Sequence, residues 1–163
     1  MVEIFKYISD FKNPILWKGI TIHHSQTSDG YSKDWEAIRK YHLSRGWNDI
    51  GYHAGIELVE GKYIYQIGRP LDMVGAHEPK VNRDCIGICV VGNFDYSPPN
   101  GVQLWLLSAL CRAYMARFGV TLDNINFHRD YSLKTCPGRM FDKLQLRDMI
   151  AGNKYDLPSV CNA

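Results

Sequence analysis

The chain lacks C-x-x-C pairs, membrane-length apolar runs, dense basic tracts, internal repeats and low-complexity segments. Each absence removes a class of function. Five cysteines, an odd number without pairing signatures, do not make a disulfide framework. Cys85 and Cys89 lie within one apolar run that reads as a strand, where four residue steps separate them by roughly 13 Å, beyond disulfide reach. Cys85, Cys89 and Cys111 are therefore expected as buried thiols, and Cys161 as an exposed residue of a polar tail. A formal net charge of +2 without a basic cluster gives no electrostatic footprint for nucleic acid. The first twenty residues scatter Glu3, Lys6, Asp10, Lys12 and Lys18 among short apolar stretches, so neither a signal peptide nor a spanning helix is read there. The expectation is synthesis in a cytoplasm, without membrane insertion.

What is present is an ordinary globular composition, 45% hydrophobic and 22% charged over 163 residues. That length suits one domain able to bury about two-thirds of its unfolded surface. Residues 19–24 read as a short strand. Ser32 can cap a helix carrying Asp34 and Glu36 in its first turn and Trp35, Ile38 and His42 on its apolar face, with Gly46 as the stop. Residues 54–59 and 62–67 flank Glu60-Gly61 as a hairpin. Residues 86–91 form a continuous apolar run, the pattern of a strand covered on both faces. Leu107, Leu110, Tyr114 and Phe118 recur at helical spacing over residues 102–118, with Gly119 ending the helix. A short strand over 125–127 delivers His128, and a last helix is expected over about 139–150. The predicted fold is α/β, a single domain spanning 1–163 with a central mixed β-sheet flanked by helices. Residues 1–18 match no motif, and no separate binding domain is predicted.

The chemistry concentrates in His128-Arg129-Asp130-Tyr131-Ser132-Leu133-Lys134-Thr135-Cys136 and in Ile22-His23-His24-Ser25. Two imidazoles and a thiolate fill three corners of a zinc tetrahedron and leave the fourth for water, a hydrolytic rather than a structural arrangement. Successive strand residues point to opposite faces, so His23 and His24 do not easily share one ion. Alternation alone does not say which of them faces the site. Pro137 after Cys136 is a residue favoured in a helix's first turn. A helix beginning there would lower the thiol pKa and favour the thiolate. The same thiolate would suit a cysteine nucleophile with a histidine base. His42 reads as an ordinary hydrogen-bonded histidine, and a lysine on a loop is usually solvated.

Six blocks carry a family resemblance: Ile22-His23-His24-Ser25, Gly46-Trp47-Asn48-Asp49-Ile50-Gly51-Tyr52-His53, Gly68-Arg69, Gly75-Ala76-His77, Ile86-Gly87-Ile88-Cys89-Val90-Val91-Gly92, and His128 through Lys134 to Cys136-Pro137. In this order, over about residues 20–145, they resemble the zinc-dependent N-acetylmuramoyl-L-alanine amidases of the amidase-2 type. These are related to peptidoglycan recognition proteins, and the similarity is greatest to the short phage lysozyme-type amidases. The resemblance implies one Zn2+ on His23, His128 and Cys136, catalytic roles for Tyr52 and Lys134, and a substrate-groove position for His77. It also implies a structural role for His53 after the catalytic tyrosine. The implied reaction is hydrolysis of the amide between N-acetylmuramic acid and L-alanine, with peptidoglycan as partner, by a monomer acting as a phage or prophage endolysin. Two alternatives stand beside it, a cytosolic muropeptide-recycling amidase and a non-catalytic wall-binding module. Arg69 is expected in a structural ion pair, with a stem-peptide carboxylate as the competing partner.

Overall fold

Five strands form one mixed sheet whose two faces differ in chemistry. The computed structural model describes residues 2–12, 15–28 and 34–152. Ser32 and Cys161, both given roles above, lie outside the described residues. The elements are α1 (Val2–Asp10), β1 (Gly19–His24), α2 (Trp35–Ser44), β2 (Ala54–Val59), β3 (Lys62–Ile67), β4 (Cys85–Val90), α3 (Gly101–Phe118), β5 (Ile125–Phe127) and α4 (Lys143–Ala151). Strand order is β3-β2-β4-β1-β5. The hairpin pair β2/β3 is antiparallel, and β2/β4, β1/β4 and β1/β5 are parallel. This is the predicted single α/β domain, with a mixed sheet and four helices among the described residues. None of those helices is long and apolar enough to cross a membrane.

Local chemistry accounts for most boundaries. Glu60 and Gly61 both take positive φ, the conformation a two-residue hairpin turn needs for strands of right-handed twist. Asn100 caps α3 in a reciprocal box with Gln103, and Gly119 closes it at φ 70°. Helix α2 is capped by Asp34, whose carboxylate accepts from the Ala37 amide at 2.7 Å; Asp34 is the cap rather than a first-turn residue. The last helix begins at Lys143, later than predicted. Asp142 accepts from the Leu144 and Gln145 amides at 2.8 and 3.2 Å, and a carboxylate cap defines a helix start more strongly than a proline several residues earlier.

Strand alternation sorts the sheet. Ile20, Ile22, Ile86, Ile88, Val90, Ala54 and Ile56 belong to the main core with residues of α1, α3 and α4. The intervening Cys89 packs instead with Trp35, Ile50 and Val91, beside Tyr52. Gly55 and Gly87 fall between these residues on the second face, and a Cβ at either would strike the ring of Trp35 or His77. Helix α1 has no counterpart among the predicted elements. Ile4 and Ile8 are buried in the main core, and the Phe5 ring meets Tyr65 edge-on at 5.3 Å. Ile8→Ala should therefore cost about 2–5 kcal/mol in denaturant unfolding, whereas a loosely attached α1 would leave the midpoint unmoved.

Candidate metal centre

The carboxyl ends of the parallel strands open into a cavity of about 630 Å³, the place where open α/β sheets bind ligands. Strand β1 ends in His23-His24, and β5 runs directly into a 3-10 turn that starts at His128. The Asp130 carboxylate accepts from the Phe127 amide at 2.8 Å, which tightens that turn and fixes where His128 leaves the sheet. Cys136 returns on the following loop. The Arg129 amide donates to the Cys136 carbonyl at 2.8 Å, and the Arg129 guanidinium donates to the Phe141 carbonyl at 2.8 Å. Asp95 holds the same loop by accepting from Thr135 Oγ1 at 2.9 Å and from the Arg139 amide at 3.0 Å.

These elements bring His23, His128 and Cys136 together, each offering one ligand atom, all within 4.8 Å of one another. Cys136 Sγ lies 3.7 Å from His23 Nδ1 and accepts from the His24 amide at 3.5 Å. The face question left open by alternation is answered here. His23 turns towards His128 and Cys136, while His24, which also lines the cavity, is tied through its Nδ1, accepting from the Phe94 amide at 3.2 Å. Both clustered imidazoles have lowered pKa values, chiefly through burial, with the Glu78 carboxylate opposing the shift at His128. They are neutral near pH 7, as a metal ligand must be.

Cys136 departs from expectation. With α4 starting at Lys143, no helix N-terminus reaches the sulfur, and burial pushes the thiol up to about 12. That environment does not activate a free nucleophile, which needs a depressed pKa. A divalent cation would supply the missing stabilisation by displacing the proton. Two nitrogens and one sulfur within a few ångströms suit Zn2+ in both softness and number.

Tyr52 and Lys134 both line the cavity with His128 and Cys136. The Tyr52 ring lies 5.1 Å from that of His23, and burial keeps its phenol well above the ordinary value, so it remains a donor. Lys134 is exposed at the rim, and its positive charge contributes to lowering the pKa of both clustered histidines. Tyr41, His42 and Trp47 also line the cavity, with His42 and Trp47 stacked at 4.4 Å.

Three residues differ from their predicted surroundings or define them more closely. His77 touches the cavity but uses both ring nitrogens inside the protein, Nδ1 with His23 Nε2 at 3.1 Å and Nε2 with the Cys85 carbonyl at 3.0 Å. Its place on the cavity lining fits the groove position that the resemblance implies, with both ring nitrogens already engaged by protein groups. Arg69 makes no side-chain ion pair among the described residues. It is buried and donates to the carbonyls of Ile50, Val74 and Asp49 at 3.0, 2.7 and 3.1 Å, stapling the loop before Tyr52. His53 is structural, with Nδ1 accepting from the Gly87 amide at 3.0 Å. His42 is likewise satisfied, accepting from the Gly51 amide at 3.1 Å. Cys85, Cys89 and Cys111 are buried free thiols, as expected. Glu78 and Asp95 were not legible as site residues. Neither stands in a chemical motif, and their partners lie 40 to 50 positions away.

Comparison with known proteins identifies the family and the fold. The model of the N-acetylmuramoyl-L-alanine amidase family Amidase_2 matches residues 12–139. The endolysin of Enterobacteria phage T3 is 27% identical over 135 residues, covering 78% of this chain and 84% of that protein. Among solved structures, the N-acetylmuramoyl-L-alanine amidase LysC from Clostridium intestinale URNW superposes with a TM-score of 0.73 at 30% identity, over 84% of this chain and 87% of the other. Drosophila PGRP-LB superposes with a TM-score of 0.68 at 27% identity, over 92% and 88% of the two chains. The chain belongs to the Amidase_2 family of N-acetylmuramoyl-L-alanine amidases.

Proposed function

We propose that this protein is a zinc-dependent endolysin that hydrolyses the amide between the lactyl group of N-acetylmuramic acid and L-alanine in peptidoglycan. The observation that carries the reading is the meeting of His23, His128 and Cys136 ligand atoms within 4.8 Å of one another, with His128 and Cys136 lining an open cavity. Three protein donors beside open space are the composition of a catalytic zinc site. Similarity to phage endolysins and to a clostridial amidase supports both the substrate and the lytic setting.

In this reading His23, His128 and Cys136 hold one Zn2+ per chain. A bound ion would supply Lewis acidity towards a carbonyl oxygen and would lower the pKa of a coordinated water to about 7. Lys134 presents its ammonium from the rim towards the oxygen that gains charge as the carbonyl carbon becomes tetrahedral. Tyr52 keeps its proton, and its hydroxyl orients water or passes a proton towards the leaving amine. Trp47 and Tyr41 offer flat apolar surface on which a sugar or peptide face can lie. We take the protein to act on the bacterial wall as a monomer.

The test is metal analysis of purified protein followed by chelation and zinc readdition, scored as release of L-alanine amino termini from peptidoglycan. Loss on chelation and recovery with Zn2+ is expected. Chelator-insensitive cleavage would instead select the cysteine nucleophile, and metal-loaded protein that releases no amino termini would select a binding module. Cleavage of small soluble muropeptides but not of intact sacculi would move the role to recycling.

A further inference from the structure

The connection from β3 to β4 places His77 and Glu78 side by side, and each reaches a different histidine of the cluster. His77 Nδ1 lies 3.1 Å from His23 Nε2, and Glu78 Oε2 lies 2.8 Å from His128 Nε2. Both residues are buried, at 8% and 5% exposure. The second carboxylate oxygen of Glu78 accepts from the Lys80 amide at 3.2 Å. Asn82 sets the backbone beneath them, because its Oδ1 accepts from the His77 and Glu78 amides at 2.8 Å each. Space for the His77 ring comes from two glycines. A Cβ at Gly75 would fall 2.5 Å from the ring and one at Gly87 2.4 Å, so a side chain at either position would displace it.

Hydrogen-bond valence turns this placement into an assignment. The Cys85 carbonyl can only accept, so His77 Nε2, 3.0 Å away, carries the hydrogen. In a neutral ring its Nδ1 then only accepts, and His23 Nε2 must donate to it. The bare nitrogen of His23 is Nδ1, the atom 3.7 Å from Cys136 Sγ. At His128 the carboxylate likewise takes the Nε2 hydrogen and leaves Nδ1 bare.

We infer that His77 and Glu78 are positioning residues acting as one clamp, which fixes the Nδ1 atoms of His23 and His128 as the metal-facing nitrogens, with Asn82 holding the clamp in place. The inference rests on the zinc reading above and gives a role to two residues outside the ligand set. Glu78 touches neither the ion nor the substrate. It acts through His128, by orienting the ring and making its bare nitrogen more basic.

The experiment titrates zinc-free wild type, Glu78→Ala, Glu78→Gln and Asn82→Ala with Zn2+ against a chromophoric chelator, and records visible spectra of the Co2+-loaded proteins. Glu78→Ala should bind Zn2+ about 10–100-fold more weakly with an altered Co2+ spectrum. Glu78→Gln, which keeps an oxygen acceptor, should recover part of that loss. Asn82→Ala, which alters no side chain in contact with an imidazole, should weaken binding in the same direction. If Glu78→Ala does not fold, Glu78→Gln and Asn82→Ala carry the test, and wild-type affinity with an unchanged spectrum in both overturns the clamp. A variant that loses thermal stability but keeps wild-type affinity and spectrum also overturns it. Failure of the wild type itself to bind zinc overturns the zinc reading and the clamp together, which separates the two failures.

Discussion

Cys136→Ala is expected to lose its zinc and all measurable amide hydrolysis. Of the three clustered donors only the sulfur can become anionic, since His23 and His128 are neutral rings. Removing it leaves two imidazoles and no charge opposite a divalent cation, while metal binding to sites of this kind draws much of its strength from the deprotonated thiol. The fold should survive the change. The Cys136 loop is held by Arg129 on the Cys136 and Phe141 carbonyls and by Asp95 on Thr135 and Arg139, and none of these contacts uses the sulfur. Circular dichroism would check the fold, elemental analysis the metal, and release of L-alanine amino termini the activity. A full zinc complement in the variant would remove Cys136 from the ligand set.

The second large effect separates chemistry from metal binding. Lys134→Ala should keep its zinc and lose about 10²–10³ in kcat, the usual consequence of removing one donor to a developing oxyanion. The side chain is exposed at the cavity rim, and the loop contact at this position comes from its backbone amide to Ser132 Oγ at 3.4 Å. Stability should therefore change little. The loss should fall on kcat rather than KM, because the charge that Lys134 meets forms only as the carbonyl becomes tetrahedral. Near-normal turnover would return Lys134 to the role of a solvated surface lysine.

Much of this site could be read from residues close in sequence. The apolar run before His23-His24, the short strand before His128 and the continuous run of β4 are local patterns, and they place two of the donors at strand ends. The Glu60-Gly61 hairpin and the Gly119 stop are equally local, because a positive φ is a demand on single residues. Helix α1 was not legible. Its nine residues, charged at Glu3, Lys6 and Asp10, are too few to hold a helix alone and become helical through the burial of Ile4 and Ile8 against distant residues. The region after Cys136 was misread for a related reason. Pro137 permits a helix start, but Asp95 and Arg129 hold the segment as a loop, and the helix waits for its Asp142 cap.

The donor types and their order along the chain were already present in the primary structure, since periodicity and turn chemistry depend on near neighbours. Folding in three dimensions was needed to aim His23 at His128 and Cys136 and to tie His24 to the Phe94 amide, because the faces of the sheet are packed by different elements, the main core on the side of Ile20 and Ile22 and Trp35 and Ile50 around Cys89 on the other. It was needed again to bring Glu78 to His128 across 50 positions, an encounter that depends on sheet order and loop path. The upward shift of the Cys136 thiol by burial belongs to the same group, because a thiol's pKa follows from what surrounds it rather than from the residues beside it in the chain.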